Sequence, residues 1–182
     1  PARQWWEGLL NGDQPVGLAW VVLMGFIRLI TSRQAFTNPL IMPGAANTRE
    51  WRAAEIPAAN GHTNARGLAR LYGTLANGGG LDGVGVLSRD SIERALTKQA
   101  DGQDALLPFH TTFGLGFMLS TPQEKLGPNR RSFGHGGMGG SMGFADPDAH
   151  LGFGYVMNEM HMGLWLIDPR PVALIAALYR CV

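Results

Sequence analysis

Cysteine is almost absent: Cys181, next to the last residue, is the only one in 182 residues. A disulfide within the chain and a zinc site built on thiolates are both excluded. One cysteine gives no argument for secretion, and a cytoplasmic location is expected, with the periplasm or secretion left open. Charge is also scarce, at 16% of residues with a formal net charge of +1. The arginines are scattered rather than striped, so no nucleic-acid partner is expected. Long hydrophobic runs are missing too. Val16 to Ile27 is the most apolar stretch, and its twelve residues fall short of the roughly 20 a membrane span needs. That length suits a buried helix, and no membrane partner is expected. A signal peptide would want a basic start and a small-residue cleavage site, whereas this run follows Trp5-Trp6-Glu7 and an Asn11-Gly12-Asp13 turn. The chain opens at Pro1, without methionine, which leads us to expect a longer product.

What is present describes a globular domain. Hydrophobic residues make up 45% of the chain, enough for one real core at this length. Residues 1–60 are poorly patterned, and the fold of residues 1–52 is left open. From there Leu68, Leu71, Tyr72, Leu75 and Ala76 follow the spacing of a helix face. Thr63 or Asn64 can cap that helix, and Asn77-Gly78-Gly79-Gly80 stops it. A second helix is expected from Ser88 to Lys98, with Ile92, Ala95 and Leu96 inward and Asp90-x-x-Glu93 as a box-like start. Phe113 to Leu119 then alternates large and small residues at the period of a strand. Its glycines suggest that something packs very close to one face.

Residues 131–137, 140–146 and 151–158 read as three more strands, with Asp146-Pro147-Asp148-Ala149 as the turn between the last two. Asp168-Pro169 caps a closing helix through about Tyr179. Helices, an antiparallel meander and a final helix make an α+β fold. The division expected is a mostly helical region over 1–110, and strands with the closing helix over 111–182.

The densest local signal is "GHGGMGGSMGF", residues 134–144. Gly134-x-Gly136-x-x-Gly139 spells a dinucleotide loop, which requires a helix after it to carry the diphosphate. Gly139-x-Ser141-x-Gly143 spells a hydrolase nucleophile elbow, which also needs a strand-to-helix turn. Neither is followed by helix-forming sequence, so no nucleotide cofactor is expected and Ser141 reads as a small residue on a crowded strand. A strand along whose edge a substrate lies, followed by an antiparallel return strand, fits the pattern. Backbone N–H groups there can face an oxygen that becomes negative during acyl transfer. His135 reads as a site residue on that strand. His62 reads as a loop or helix-start residue. Asp146-x-Asp148-x-His150 reads as a hairpin turn with solvated carboxylates and not as a metal site, which would want more ligands.

Residues 59–72, "NGGGLDGVGVLS" over 77–88, "FGLGFML" over 113–119 and "FGHGGMGGSMGFADPDAHLGFGYVMN" over 133–158 carry a resemblance. From about residue 53 to 182 the chain resembles the C-terminal half of the serine β-lactamase-related family, in its bacterial carboxylesterase branch. The resemblance implies the β-lactamase/penicillin-binding-protein-like fold, here its C-terminal part of three to four strands, a closing helix and part of the helical region. It also implies hydrolysis of a small carboxylic ester through an acyl-enzyme, with weak β-lactamase activity as a secondary possibility.

Members acylate a serine in an S-x-x-K motif, and the lysine and a tyrosine of a Y-x-N motif handle the protons. Carried onto this chain, His135 takes the lysine position of the third motif, K-T-G. Gly136 and Gly137 complete that motif, and Met138 would donate its backbone N–H to the oxyanion. Met142 would line the substrate pocket. The first two motifs are missing. Ser32, Ser88, Ser91, Ser120, Ser132 and Ser141 are followed three places on by Ala35, Ser91, Arg94, Gln123, His135 and Phe144. Tyr72, Tyr155 and Tyr179 start no Y-x-N. The expectation is therefore that this chain lacks the nucleophile, is inactive alone, and has as its partner the missing N-terminal half of the same protein. The alternative is a degenerate β-lactamase-like domain with a binding or structural role.

Overall fold

Each described helix starts where a short polar side chain accepts from a backbone N–H of its first turn. The computed structural model describes residues 48–54, 61–104, 109–123, 125–137, 139–160 and 168–182. The apolar run Val16 to Ile27 lies outside them. The chain forms two compact units, Pro1–His62 and Thr63–Val182. In the first, helix α1 (Arg49–Ala53) starts at Thr48, whose Oγ1 accepts from the Trp51 N–H at 3.1 Å.

In the second unit, α2 (Ala65–Ala76) is capped by Asn64, whose Oδ1 accepts from the Gly67 N–H at 2.9 Å. That settles the choice between Thr63 and Asn64. Gly78 and Gly79 end the helix with φ of 82° and 90°, values that favour glycine. A small hairpin follows, β1 (Gly80–Leu81) with β2 (Val84–Gly85), turned by Asp82 and Gly83 at positive φ.

Helix α3 (Arg89–Ala95) is shorter than expected. Its cap is Ser88, whose Oγ accepts from the Ser91 N–H at 3.1 Å, so Asp90 does not open the helix. It stops before Lys98 because Leu115 N–H takes the Ala95 carbonyl at 2.8 Å. Two residues beyond Thr97, Gln99 N–H already bonds Phe113 O at 2.8 Å, entering the sheet.

Among the described residues the sheet holds six strands in strict chain order, all antiparallel: β3 (Ala100–Gln103), β4 (His110–Phe113), β5 (Met118–Leu119), β6 (Phe133–Gly136), β7 (Met142–Asp146) and β8 (Leu151–Tyr155). Three or four strands were expected, and the sheet begins at Ala100, ahead of the expected boundary at 111. The single strand expected over 113–119 is a tight hairpin. Phe113 pairs with Met118, and Gly116 turns at φ 81°. Gly114 is small because a Cβ would overlap the Ala95 carbonyl at the end of α3. Helix α4 (Pro169–Leu178) closes the chain, with Asp168 Oδ1 accepting from the Arg170 N–H at 2.9 Å and proline in the first turn. The architecture is α+β.

Alternation along β6, β7 and β8 divides the core. Phe133, Gly143, Ala145, Gly152 and Gly154 face α2, where Tyr72, Leu75 and Ala76 are buried. Met142 and Phe144 face the other way, onto Met118, Leu126 and the Ile175 and Tyr179 side chains near the C-terminus.

Candidate active-site strand and its loop

His135 lies on β6, half-buried, opposite Gly143 on the face shared with Phe133. Its Nδ1 is 2.5 Å from the Gly136 carbonyl. A carbonyl oxygen only accepts, so in this contact Nδ1 is the donor. The Phe113 ring lies 5.8 Å away, tilted by 35°. The contact fixes the direction of the ring and leaves Nε2 as its other polar atom.

Beyond Gly136 the chain makes a tight glycine loop. The Gly137 N–H donates to Ser141 O at 2.6 Å, and the Gly140 N–H donates to Gly137 O at 3.0 Å. Gly139 and Gly140 have φ of 89° and 111°. A Cβ on Gly139 would lie 2.6 Å from Met160 Cε, and one on Gly140 would lie 2.5 Å from Asp168 Oδ2. Both glycines are required twice over, by conformation and by space. Strand β7 follows the loop, so the segment contains neither a dinucleotide loop nor an elbow.

Arg170 pins this loop from the closing helix. Its Nη2 donates to Gly139 O at 2.8 Å, and its Nη1 donates to Glu159 O at 2.8 Å. Asp168 holds the guanidinium from below, Oδ1 on Nε at 2.8 Å and Oδ2 on Nη2 at 2.9 Å. These hydrogen bonds raise the Arg170 pKa. Sequence reasoning saw Asp168 only as a helix cap and passed over Arg170. Gly139 lies 31 residues away, and no local signal links them.

The remaining expected site residues separate. Met138 lies outside the described residues. Met142 is 1% exposed and packs with Met118, Leu126 and Phe144 on the closing-helix side. That is the face opposite His135, so Met142 is a core residue and the expectation that it lines a substrate pocket is corrected. Gly137 is exposed, and a Cβ there would overlap Ser141 Oγ.

The turn between β7 and β8 holds another correction. Asp146 is fully buried, not solvated. Its Oδ1 accepts from the N–H groups of Asp148 and Ala149 at 3.1 and 3.2 Å, and its Oδ2 accepts from Asn129 Nδ2 at 2.9 Å and from the Tyr179 hydroxyl. Burial first, then the bond to Asp146, raises the Tyr179 pKa well above its ordinary value. Burial also raises that of Tyr72, which lies against Gly143. His150 completes the turn at φ 52°. Among the described residues no three His, Cys, Asp or Glu side chains converge as a metal ion would need. None of the described helices is long and apolar enough to cross a membrane.

A groove of about 790 Å³ among the described residues does not include His135. Lys98, Asp101, His110, Thr112 and Arg131 are among its lining residues. Its charges pair locally, Lys98 with Asp101 at 2.5 Å and Arg131 with Glu93 at 2.6 Å. We place no site there, because those pairs satisfy each other rather than a ligand.

The pattern of the family described as Beta-lactamase matches residues 27–177. The chain belongs to the beta-lactamase family. Among its relatives, "Esterase/beta-lactamase LipL" of Mycobacterium tuberculosis (strain ATCC 25618 / H37Rv) is 37% identical over 136 residues, 71% of this chain and 30% of that protein. Among solved structures, a family VIII carboxylesterase superposes with a TM-score of 0.73 at 44% identity, over 81% of this chain and 40% of the other. The chain therefore spans less than half the length of these relatives. A shorter likeness, 40% identical over 55 residues, joins it to "Ribonuclease VapC37" of the same bacterium, over 30% of this chain and 38% of that one. The fold is one this chain shares with esterases of the beta-lactamase family.

Proposed function

We propose that this chain is the C-terminal portion of a cytoplasmic serine carboxylesterase that cleaves a small ester through an acyl-enzyme. The observation that carries the reading is His135, oriented on β6 by its Nδ1 contact with the Gly136 carbonyl, shortly before Gly139 and Gly140 at positive φ. In this reading the serine and lysine of S-x-x-K and the tyrosine of Y-x-N come from the other half of the protein. The serine oxygen gives its proton to the lysine–tyrosine pair, which later passes it to the leaving alcohol, and adds to the ester carbonyl, whose oxygen takes the negative charge. The Met138 N–H donates to that oxyanion. The carbonyl reforms, the C–O bond to the alcohol breaks, and the alcohol leaves with a proton. Water then adds to the acyl-enzyme and releases the acid. His135 Nε2 bonds the substrate, while Gly136 and Gly137 keep the strand edge open to it. No cofactor, metal, nucleic acid or membrane is needed.

The test is p-nitrophenyl ester hydrolysis by the longer protein and by the 182-residue chain. The longer protein turns over, the chain alone does not, and His135→Ala in the longer protein lowers kcat/KM roughly 100-fold with an unchanged melting temperature. Unchanged turnover removes His135 from the site. Hydrolysis by the chain alone, abolished by Ser141→Ala, would make Ser141 the nucleophile instead. A longer protein without S-x-x-K supports the degenerate, non-catalytic domain.

A further inference from the structure

We infer that Ser141 is a second substrate-binding residue beside His135, its hydroxyl donating a hydrogen bond to an oxygen of the bound ester. This rests on the esterase reading above, in which His135 bonds the substrate. The ladder between β6 and β7 fixes where the two side chains stand. Phe133 pairs with Ala145 and His135 with Gly143. The next pair in that register is Gly137 with Ser141, joined by the Gly137 N–H donating to Ser141 O at 2.6 Å. Directly opposed residues project from the same face, so Ser141 and His135 are diagonal neighbours on one face, roughly 7 Å apart. A short ester can span that distance.

That face opens outward along the ladder. Phe133 and Ala145 are buried, His135 is half-buried opposite buried Gly143, and Ser141 is half-buried opposite exposed Gly137. His135 and Ser141 are therefore the polar side chains that the two strands present on leaving the core. The wall beside them is apolar. A Cβ on Gly143 would overlap the Tyr72 ring and lie 2.9 Å from Leu68 Cγ, both on α2. Apolar lining with a few convergent polar groups is how small molecules are held. Gly137 yields its space to the serine, since a Cβ there would overlap Ser141 Oγ. Among the described residues that hydroxyl has no hydrogen-bond partner. No base among them takes its proton, as a nucleophile would need, and no neighbouring acceptor occupies it. The serine of Gly139-x-Ser141-x-Gly143 is thus placed to bind the ester rather than to attack it.

The experiment is run on the longer protein with Ser141→Ala and Ser141→Thr. It reads p-nitrophenyl butyrate kinetics and the binding of butyramide, an unreactive relative of that ester, followed by NMR at His135. Ser141→Ala raises KM and the butyramide Kd about fivefold each, the loss of one hydrogen bond. It lowers kcat less than about twofold, as removal of uniform binding does, and leaves the melting temperature unchanged. Ser141→Thr keeps the hydroxyl and restores both constants. Unchanged KM and Kd in Ser141→Ala overturn the proposal. A threonine variant no better than alanine also overturns it, because the effect is then one of packing. Complete loss of turnover in Ser141→Ala overturns it in favour of a nucleophile. An unsubstituted protein that binds butyramide but hydrolyses no ester overturns the esterase reading alone, and the ratio of Kd values still decides the role of Ser141. Butyramide that leaves the His135 signals of the unsubstituted protein unmoved overturns the binding site itself.

Discussion

The two faces of β7 and β8 are built on opposite plans. Toward α2 they present Gly143, Ala145, Gly152 and Gly154, and the helix answers Gly152 with Gly73. A Cβ on Gly152 would overlap the Gly73 N atom, and one on Gly154 would lie 2.5 Å from Ala65 O. Backbone meets backbone. Toward the closing helix the same strands present Met142, Phe144 and Phe153, with the two phenyl rings 5.2 Å apart and tilted by 31°. Side chains fill that space. A glycine-rich strand therefore does not by itself mark a substrate's path: in β7 and β8 Gly143, Gly152 and Gly154 all record a helix. The glycines of the proposed site, Gly136 and Gly137, lie at and just beyond the end of β6.

Removing bulk from one face and adding it to the other tests the contrast. The largest loss is expected for Phe144→Ala, because Phe144 has no solvent exposure and its ring leaves a cavity. Urea unfolding should show about 4 kcal/mol less stability. Gly152→Ala adds one methyl group and should lose about 3 kcal/mol, since the obstruction is helix backbone and not a movable side chain. A change below about 0.5 kcal/mol for Gly152→Ala, the range of ordinary surface substitutions, would erase the distinction between the faces.

Tyr179→Phe is the smallest and belongs to the closing-helix side. Loss of its bond to Asp146 should cost about 1 kcal/mol at neutral pH. The folded phenol has a raised pKa, so its stabilisation is complete below the ordinary value near 10 and is lost as pH rises above it. The unsubstituted protein should therefore fall toward the variant above pH 10. A constant gap across that range would show that the phenol titrates alike in both states.

Much of this fold can be read locally. Asn64, Ser88 and Asp168 announce their helices because a cap is a contact within three residues. The strands at 133–136, 142–146 and 151–155 follow from alternation and the Asp-Pro turn. What stayed hidden depends on distant partners. Asp146 looks like a solvated turn residue until Tyr179 and Asn129 close over it. Phe113 to Leu119 alternates like a strand, although Gly114 and Gly116 serve a hairpin and a helix end. Polar Ala100–Gln103 has no strand pattern at all and is held by pairing with β4. In the candidate site the strand that carries His135 was legible from its sequence pattern. Arg170 was not, since its value lies in carbonyls it meets only after folding.

The six strands pair strictly with their neighbours in sequence. Each hairpin can therefore close by a short search, and the meander can assemble in the order of synthesis. The seam between Gly73 and Gly152 is different, because it joins segments on either side of almost the whole meander. It can lock only after β8 has been added. The glycine stripe thus acts as a latch on completed assembly, and damage to it should speed unfolding far more than it slows folding.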